Sequence, residues 1–254
     1  MNTLDGKVAL VTGSSRGIGA AIAQLFAREG ARIALHGRDK NALSEVQRAI
    51  ESDVGPGRAI TTIGDTTRPD EIERVRAETE RALGPVDILV ANAGGNPVPP
   101  GLVEEMSDLD WRKVVDANLT ATFLTIRSFL PGMKARRRGS IIAISSAAAR
   151  RPTAKSPVAY AAAKAGIEIL TREVALQAGA FGIRANCIAP ETILTERNQQ
   201  QIPEPLQRTL AEQHPVARLG TPEDVAEAAL FLASDQAGWI SGVVLDVAGG
   251  SVLA

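Results

Sequence analysis

The sequence predicts an α/β fold in which one seven-stranded parallel sheet lies between two layers of helices. Short apolar runs of strand length alternate along the chain with longer segments of helical period, which is the pattern of parallel strands joined by crossover helices. A glycine-rich turn follows the first apolar run, close to the start of the chain. Nothing between the runs resembles a linker or a repeat, so we expect a single domain over residues 1–254.

Each element has its own local signal. In the first helix, Ile18, Ile22, Leu25 and Phe26 recur at helical spacing, and Gly30 ends the segment. The predicted strands are the apolar runs at residues 8–11, 33–35, 59–63, 88–91, 141–144, 184–188 and 243–245. Further helices are predicted over residues 40–50, 69–83 and 222–233.

Residues 190–220 differ from the rest of the chain, because they are polar and carry prolines that interrupt long helices. This segment follows the sixth strand, at the carboxyl end of the sheet, where doubly wound folds bind ligands. We therefore expect a mobile lid over the substrate. Its apolar side chains predict either a wall of the substrate pocket or packing onto the core, and these are Ile193, Leu194, Ile202 and Leu206.

Composition limits the partners that the chain is expected to bind. Hydrophobic residues make up 44% and charged residues 22% of the chain, and the formal net charge is -1, so no basic field for nucleic acid is expected. No apolar run is long enough for a membrane span and the start lacks a secretory pattern, which predicts a cytoplasmic protein. Cys187 lies in an apolar run, and His36 and His214 lie far apart. We therefore expect neither a disulfide nor a metal site.

The turn after the first strand predicts a nucleotide site. It reads TGSSRGIG at residues 12–19 and leads directly into the first helix. Glycines there permit a tight turn, let backbone N–H groups approach a pyrophosphate and let the helix pack closely on the strand. The spacing TGxxxGxG differs from the commoner GxGxxG fingerprint, but its place between a strand and a helix favours dinucleotide binding over a plain turn.

The end of the second strand bears on which dinucleotide is bound. An acid about 20 residues beyond the glycines would accept a hydrogen bond from the adenosine ribose of NAD, but Arg38 stands there. Together with Arg16 it could form a cationic fork for the 2′-phosphate of NADP. Asp39 argues for NAD unless it caps the helix that begins near Lys40. We expect NADP(H), with NAD(H) as the alternative.

Tyr160 and Lys164 form the predicted catalytic pair. They lie four residues apart, on one face of a helix, and Tyr160 is the only tyrosine of the chain. A free tyrosine has a pKa of about 10, and a nearby cation favours the phenolate. Such a pair can also be an ordinary feature of a helix surface without any catalytic role. The other motifs of the chain decide between these two interpretations.

The chain resembles the short-chain dehydrogenase/reductase family through residues 12–19, the Asn92-Ala93-Gly94 segment, Asn118, Ser145-Ser146 and the Tyr160/Lys164 pair. The resemblance extends over nearly the whole chain and implies a Rossmann-type fold. It also implies a catalytic tetrad, in which Tyr160 exchanges a proton with the substrate oxygen, Ser146 binds that oxygen, and Lys164 binds the nicotinamide ribose. Asn118 would hold a water molecule that links Lys164 to solvent. The implied cofactor contacts are Gly13, Ser15, Arg16, Gly17, Ile18, Gly19, Arg38, Asp65, Thr66, Asn92, Ala93, Gly94, Tyr160, Lys164, Pro190, Ile193 and Thr195.

The resemblance implies an oxidoreductase that interconverts an alcohol and a ketone. The chain looks closest to the branch of 3-oxoacyl-carrier-protein reductases and sugar or polyol dehydrogenases. This resemblance favours a 3-oxoacyl thioester reductase, with an NAD-dependent sugar, polyol or other secondary alcohol dehydrogenase as the alternative. The family further implies a homotetramer. A non-catalytic dinucleotide sensor on the same fold is the alternative of another class, and it would not need the tetrad.

The sequence departs from the family pattern at a few positions. Only one of Ser145 and Ser146 can face the cleft, because they alternate along a strand, and we expect Ser146 to do so. The interval to Tyr160 is one residue longer than the family's, which predicts a local bulge. Glu191 stands where the family usually has glycine, and Ala248 stands where an acid is common. A side chain at position 191 could narrow the pocket or repel acidic substrates.

Overall fold

The computed structural model describes residues 3–152 and 157–252. Seven parallel strands form one sheet in the order β3-β2-β1-β4-β5-β6-β7. The strands are β1 (Val8–Thr12), β2 (Arg32–Gly37), β3 (Ala59–Ile63), β4 (Ile88–Ala91), β5 (Gly139–Ile144), β6 (Ile183–Pro190) and β7 (Val244–Val247). The strand order reverses between β1 and β4, and a cleft opens at the carboxyl ends of strands at such a reversal.

Helices cover both faces of the sheet, which confirms the predicted three-layer Rossmann-type fold. One hydrophobic core contains Ile22, Leu43 and Val225, and the other contains Val75, Phe129 and Val174. Thus α1, α2 and α9 pack on one face, while α3, α5 and α6 pack on the other. The helices are α1 (Gly17–Arg28), α2 (Lys40–Val54), α3 (Pro69–Leu83), α4 (Asp108–Val115), α5 (Ala121–Arg136), α6 (Val158–Ala178), α7 (Glu196–Gln201), α8 (Glu204–Glu212) and α9 (Pro222–Ala233).

The five inner strands are buried along most of their length, as parallel strands between two helical layers must be, whereas the edge strands β3 and β7 are mostly half-buried. All five residues of β1 and all four of β4 are buried. Cys187 is likewise buried, within β6. The sequences of β1 and β4 are nearly continuous apolar runs for that reason, and the local sequence was sufficient to predict them.

The segment after β6 folds into two short helices, α7 and α8, that begin next to Thr195 and Pro203. A main-chain bridge between Ile193 and Gly220 closes the base of this segment, with Leu194 N donating to Gly220 O at 2.8 Å. Residues 195–219 therefore form a loop with its two ends tied together.

Two findings concern the remaining sequence expectations. Within residues 3–152 and 157–252, no helix is both long and apolar enough to cross a bilayer. The bulge predicted between Ser146 and Tyr160 involves residues 153–156, which lie outside the described residues.

Candidate active site

A large open cleft of about 980 Å³ lies at the carboxyl ends of the central strands. Its lining runs from the turn after β1, past the ends of β2 and β4, to the start of α6 and the segment after β6. The predicted site residues that line it are Gly13, Ser15, Arg16, Gly17, Ile18, Gly19, Arg38, Thr66, Asn92, Ala93, Gly94, Ser146, Tyr160, Lys164, Pro190, Ile193 and Thr195. Asp65 and Asn118 do not belong to this lining.

The turn between β1 and α1 has the geometry of a phosphate cradle. Gly13 and Gly17 have φ angles of 65° and 55°, which side chains rarely adopt. A Cβ on Gly19 would lie 2.4 Å from Gly13 O and 2.6 Å from Asn92 Nδ2. These positions therefore accept only glycine without rearrangement.

The start of α1 is also free of the groups that normally occupy a helix N-terminus. Among the described residues, no side chain caps this end, and its first turn contains no acid. By contrast, Asp39 caps α2 and Thr221 caps α9. Exposed N–H groups at the positive end of a helix dipole bind phosphate, so the chain's own residues fit the pyrophosphate of a dinucleotide.

At the end of β2, the carboxylate of Asp39 is engaged in contacts with other residues of the chain. Its Oδ1 accepts hydrogen bonds from Asn41 N and Ala42 N, both at 3.1 Å, and its Oδ2 lies 3.2 Å from Arg16 Nη2. Asp39 is therefore a helix cap, as one interpretation of the sequence predicted. Arg38 is exposed and lines the cleft, so the wall here is cationic.

Asp65 accepts hydrogen bonds within the turn after β3, and the adenine contact that the family resemblance implied stays a prediction. Its Oδ1 accepts from Thr67 N at 2.9 Å and from Thr67 Oγ1 at 2.8 Å. Partial burial raises the pKa of Asp65, but the Thr67 hydrogen bonds and the charges of Arg38 and Arg68 outweigh it and leave the pKa lowered. The carboxylate organises the turn after β3, whereas Thr66 and Thr67 line the cleft.

Tyr160 and Ser146 meet at the other end of the cleft. Burial raises the pKa of Tyr160, and a hydrogen bond with the Ser146 side chain partly offsets that effect. Ser146 Oγ also accepts from Ala148 N at 3.2 Å, in the short turn after β5. A phenol that stays protonated at neutral pH, beside a hydroxyl, can donate a proton to an oxygen bound between them.

Lys164 lies beneath this pair. Its side chain is buried, Nζ donates to Ile144 O at 2.7 Å, and Nζ lies 5.5 Å from the centre of the Tyr160 ring. Burial lowers the pKa of Lys164 to about 8. The ammonium group is thus held next to the phenol by the end of β5.

Ser145 and Ser146 both line the cleft, contrary to the expectation that only one of them would, but Ser145 acts as a support. Its Oγ donates to Lys164 O at 3.0 Å and lies 3.1 Å from Glu168 Oε1. These contacts attach the end of β5 to α6. Of the two serines, Ser146 is the one that the structure places against Tyr160.

Asn118 lies in a π-helical turn, Asp116–Thr120, between α4 and α5. Its Nδ2 donates to Gly95 O and Val114 O, both at 2.8 Å, and its Oδ1 accepts from Gly95 N at 3.0 Å. A Cβ on Gly94 would lie 2.6 Å from that Oδ1. The amide therefore fixes the segment after β4, and the water-holding role that the family implied stays a prediction.

Two features in or near the cleft were not found from the sequence. Arg150 approaches the buried carboxylate of Glu168, with 3.4 Å between Nε and Oε1, and its Nη2 contacts Asp246 on β7. His36 is buried at the end of β2, and in the described part of the chain neither ring nitrogen has a hydrogen-bond partner. Burial lowers the pKa of His36 to about 4, so the ring is neutral. Neither arrangement has a signal in local sequence.

The fold and the site define an oxidoreductase that uses a nicotinamide dinucleotide. A model of the family described as enoyl-(acyl carrier protein) reductase matches residues 13–251. Glucose 1-dehydrogenase 2 of Bacillus subtilis is 35% identical over 98% of this chain and 96% of its own. The 3-oxoacyl-[acyl-carrier-protein] reductase of Vibrio cholerae is 38% identical over 97% and 98%, and the 7alpha-hydroxysteroid dehydrogenase of Escherichia coli is 36% identical over 98% and 95%.

A comparison with solved structures supports the same family. A 3-oxoacyl-[acyl-carrier protein] reductase from Brucella melitensis, with bound NAD, has a TM-score of 0.91 and 34% identity, covering 100% of this chain and 94% of its own. The chain belongs to the short-chain dehydrogenase/reductase family. It is an NAD(P)-dependent oxidoreductase that acts on CH–OH groups and interconverts an alcohol and a ketone.

Proposed function

We propose that the chain is an NADP(H)-dependent ketone reductase in which Tyr160 is the general acid. The nucleotide preference rests on the wall after β2, where Arg38 lines the cleft and Asp39 is held by its own helix and by Arg16. A carboxylate engaged in this way is poorly placed to accept from a ribose hydroxyl. Arg16 and Arg38, which we call the arginine fork, instead suit the 2′-phosphate of NADP.

The proton chemistry rests on one observation, the hydrogen bond between Ser146 and Tyr160 above the buried Lys164. Bound NADPH supplies the hydride. Ser146 holds the carbonyl oxygen, and Tyr160 donates its proton to that oxygen as negative charge develops there. Lys164 stabilises the phenolate that remains. In the opposite direction the same phenolate accepts the hydroxyl proton. Asn118 positions the segment after β4 that borders the cofactor.

The single domain and its lid over residues 190–220 stay predictions, and the contacts of the lid support a substrate-covering role. Ile193 and Ile202 line the cleft, but Leu194 does not and Leu206 is exposed. The apolar wall of the substrate pocket is therefore smaller than a wall formed by all four of these side chains would be. We propose a 3-oxoacyl thioester as the substrate to test first.

A sugar or polyol is the second candidate substrate, and the lining at the substrate end favours it. The side chains there are largely polar and include Asn96, Lys113, Asp116, Glu196, Arg197 and Asn198. Such groups can bind several hydroxyls at once. The two candidates differ in direction as well, since a thioester ketone is reduced and a sugar hydroxyl is oxidised.

The test compares wild type with Tyr160→Phe on acetoacetyl-CoA with NADPH and on glucose with NADP+ and NAD+. The variant keeps the ring but lacks the acidic proton, so we expect it to bind NADPH normally and to lose about a thousandfold in kcat. Normal binding also serves as the folding control. Full activity of the variant on a turned-over substrate would refute the acid role, and a cleft that binds nucleotide but turns over no carbonyl or alcohol would favour a sensor.

We also propose that the chain assembles as a homotetramer. Large apolar side chains are exposed on two separate faces. Those on α4 to α6 are Leu109, Trp111, Phe123, Ile169 and Leu176, and those around α9 and β7 are Phe231, Trp239 and Val243. Two self-complementary faces of this kind build a tetramer with three two-fold axes.

Mass measurement in solution tests the assembly. A particle of four chains, each of 26.7 kDa, is expected, and Trp239→Glu should reduce it to dimers by placing a charge in one face only. A monomeric wild type would contradict the proposal. The cytoplasmic location predicted from the sequence stays a prediction.

A further inference from the structure

Glu191, where the family usually has glycine, is the first residue after β6. Its backbone N–H donates to Val247 O at 3.1 Å, and its side chain is 23% exposed. The same residue lines the catalytic cleft and a second cavity of about 370 Å³ beneath the lid. Ala248, another departure from the family pattern, lines that second cavity as well. Glu191 thus stands between the cofactor strand and the underside of the lid.

The partner of Glu191 comes from the lid. His214 follows α8, and its side chain is only 5% exposed. Its Nε2 lies 2.6 Å from Glu191 Oε2, and its Nδ1 lies 2.7 Å from Leu210 O, in the last turn of α8. The N–H of Thr192 donates to the same Glu191 oxygen. The imidazole therefore joins the end of the lid helix to the end of β6.

The glycine turn after β7 packs against the imidazole ring of His214. Gly249 has a φ of 55°, and a Cβ placed on it would lie 3.3 Å from His214 Cδ2. Val216 N donates to Gly249 O at 2.9 Å. The lid is therefore attached at His214 on two sides, to Glu191 and to the turn after β7.

The number of protons that Glu191 and His214 share follows from the two acceptors that face the imidazole ring, which are Leu210 O and the Glu191 carboxylate. A backbone carbonyl can only accept, so Nδ1 carries a hydrogen for Leu210 O. A contact between Nε2 and a carboxylate oxygen at 2.6 Å then needs one more proton, on either Nε2 or Glu191. Without that proton the neutral ring carries one hydrogen for two acceptors, so it keeps either the Glu191 contact or the Leu210 contact. The imidazole joins α8 to the end of β6 through both nitrogens, as the Glu191–His214 joint, only while the pair holds that proton.

The other charged groups around the cavity are already paired with one another. Arg218 makes two hydrogen bonds to Asp224, at 2.6 and 2.7 Å, and Asp246 contacts Arg150. Arg218, Asp224 and Asp246 are the charged residues that share this cavity with Glu191 and His214. Their mutual pairing leaves the Glu191–His214 joint as the proton-dependent contact between the lid and the strands.

We propose that Glu191 and His214 are positioning residues that hold the lid against the cofactor strand, and that loss of their shared proton releases it. The inference rests on the proposed function of the lid. Residues directly after Glu191 line the cleft, so release of the joint alters substrate binding. The chemical step, which belongs to Tyr160, is unaffected. The substrate KM should therefore rise with pH while kcat at saturation does not follow it.

Hydrogen–deuterium exchange of the lid tests the joint without a substrate. Protection of peptides within residues 196–216, corrected for intrinsic exchange, is measured from about pH 6 to about pH 9. Wild type should lose about tenfold in protection across this range as the charged hydrogen bond is lost. Glu191→Ala should lack the extra protection throughout.

Glu191→Gln gives the decisive comparison. The amide nitrogen can take the place of the Glu191 oxygen that faces His214 and donate to a neutral Nε2, at the expense of the Thr192 contact to that atom, so the joint stays closed at high pH without the extra proton. Glu212→Gln, on the exposed end of α8, is the matched control and should follow wild type. A flat wild-type profile, or a Glu191→Gln variant that loses protection as wild type does, would overturn the proposal. Because nucleotide binding is measured separately, these results stand apart from the fate of the proposed function.

Discussion

The nucleotide end of the cleft and the region beside its substrate end are stabilised by different kinds of interaction, and each region contains one of the chain's two histidines. At the nucleotide end, glycine turns and backbone groups provide most of the contacts, and the neutral His36 is buried with no hydrogen-bond partner among the described residues. Beside the substrate end, charged side chains distant in sequence are brought together, and His214 is bonded through both nitrogens. The nucleotide end is specified by local sequence and the substrate end by tertiary structure.

The largest effect is expected from Gly19→Ala at the nucleotide end. The new Cβ would lie 2.4 Å from Gly13 O, and a backbone atom cannot swing aside, so the turn must shift. We expect NADPH binding to weaken by about 3 kcal/mol, roughly a hundredfold, in a fluorescence titration. Gly101→Ala is the control, because its Cβ would meet nothing within 4 Å. Binding within threefold of wild type, as an order-of-magnitude limit, would show that this turn tolerates a side chain.

Arg150→Met tests the charges at the substrate end. It leaves the buried carboxylate of Glu168 without its cation, and we expect a loss of about 2 to 3 kcal/mol in the free energy of unfolding, measured with denaturant. The exposed neighbour Arg151 provides the control Arg151→Met. Adding Glu168→Gln to Arg150→Met should restore much of the loss. No restoration in the double variant would mean that Arg150 acts through packing or through Asp246.

Acid should destabilise the nucleotide end through His36. Burial lowers the pKa of His36 to about 4, against about 6.5 in the unfolded chain. The unfolded state therefore binds more protons between these values, and stability is full above about pH 6.5 and falls as the pH drops toward about 4. The cost at pH 5 is about 2 kcal/mol.

His36→Leu removes the titrating ring at similar volume. The difference between its free energies of unfolding at about pH 7.5 and about pH 5 should be smaller than the wild-type difference by that amount. An identical acid dependence in both proteins would assign the effect to other groups. The two histidines therefore predict opposite responses to pH. Acid destabilises the nucleotide end through His36, whereas high pH releases the lid by opening the Glu191–His214 joint.

The sequence was sufficient for the sheet because its inner strands are buried on both faces and contain mainly apolar residues. The Asp39 cap was also predictable, since a carboxylate just before a helix meets free N–H groups. In the site, the Tyr160/Lys164 pair and the glycine turn are short-range patterns. Each of these signals lies within a few residues of chain.

The remaining contacts carry no such signal. Arg150 meets Asp246 across 96 residues of chain and Glu191 meets His214 across 23, and no periodicity connects them. Glu168 has the spacing of an ordinary charged helix residue, yet it is buried because Ser145 and Arg150 lie against it. The π-helical turn that orients Asn118 has no sequence signal either, because its residues all suit an α-helix.

The most direct test of the proposed cofactor is a nucleotide titration that needs no substrate. NADPH and NADH binding are compared in wild type, in Arg38→Ala, and in Arg32→Ala as a control at the opposite end of β2. The arginine fork predicts that wild type binds NADPH at least about tenfold more tightly, or about 1.4 kcal/mol, and that only Arg38→Ala removes this preference. NADH binding equal to or tighter than NADPH binding in wild type would contradict the NADP(H) assignment.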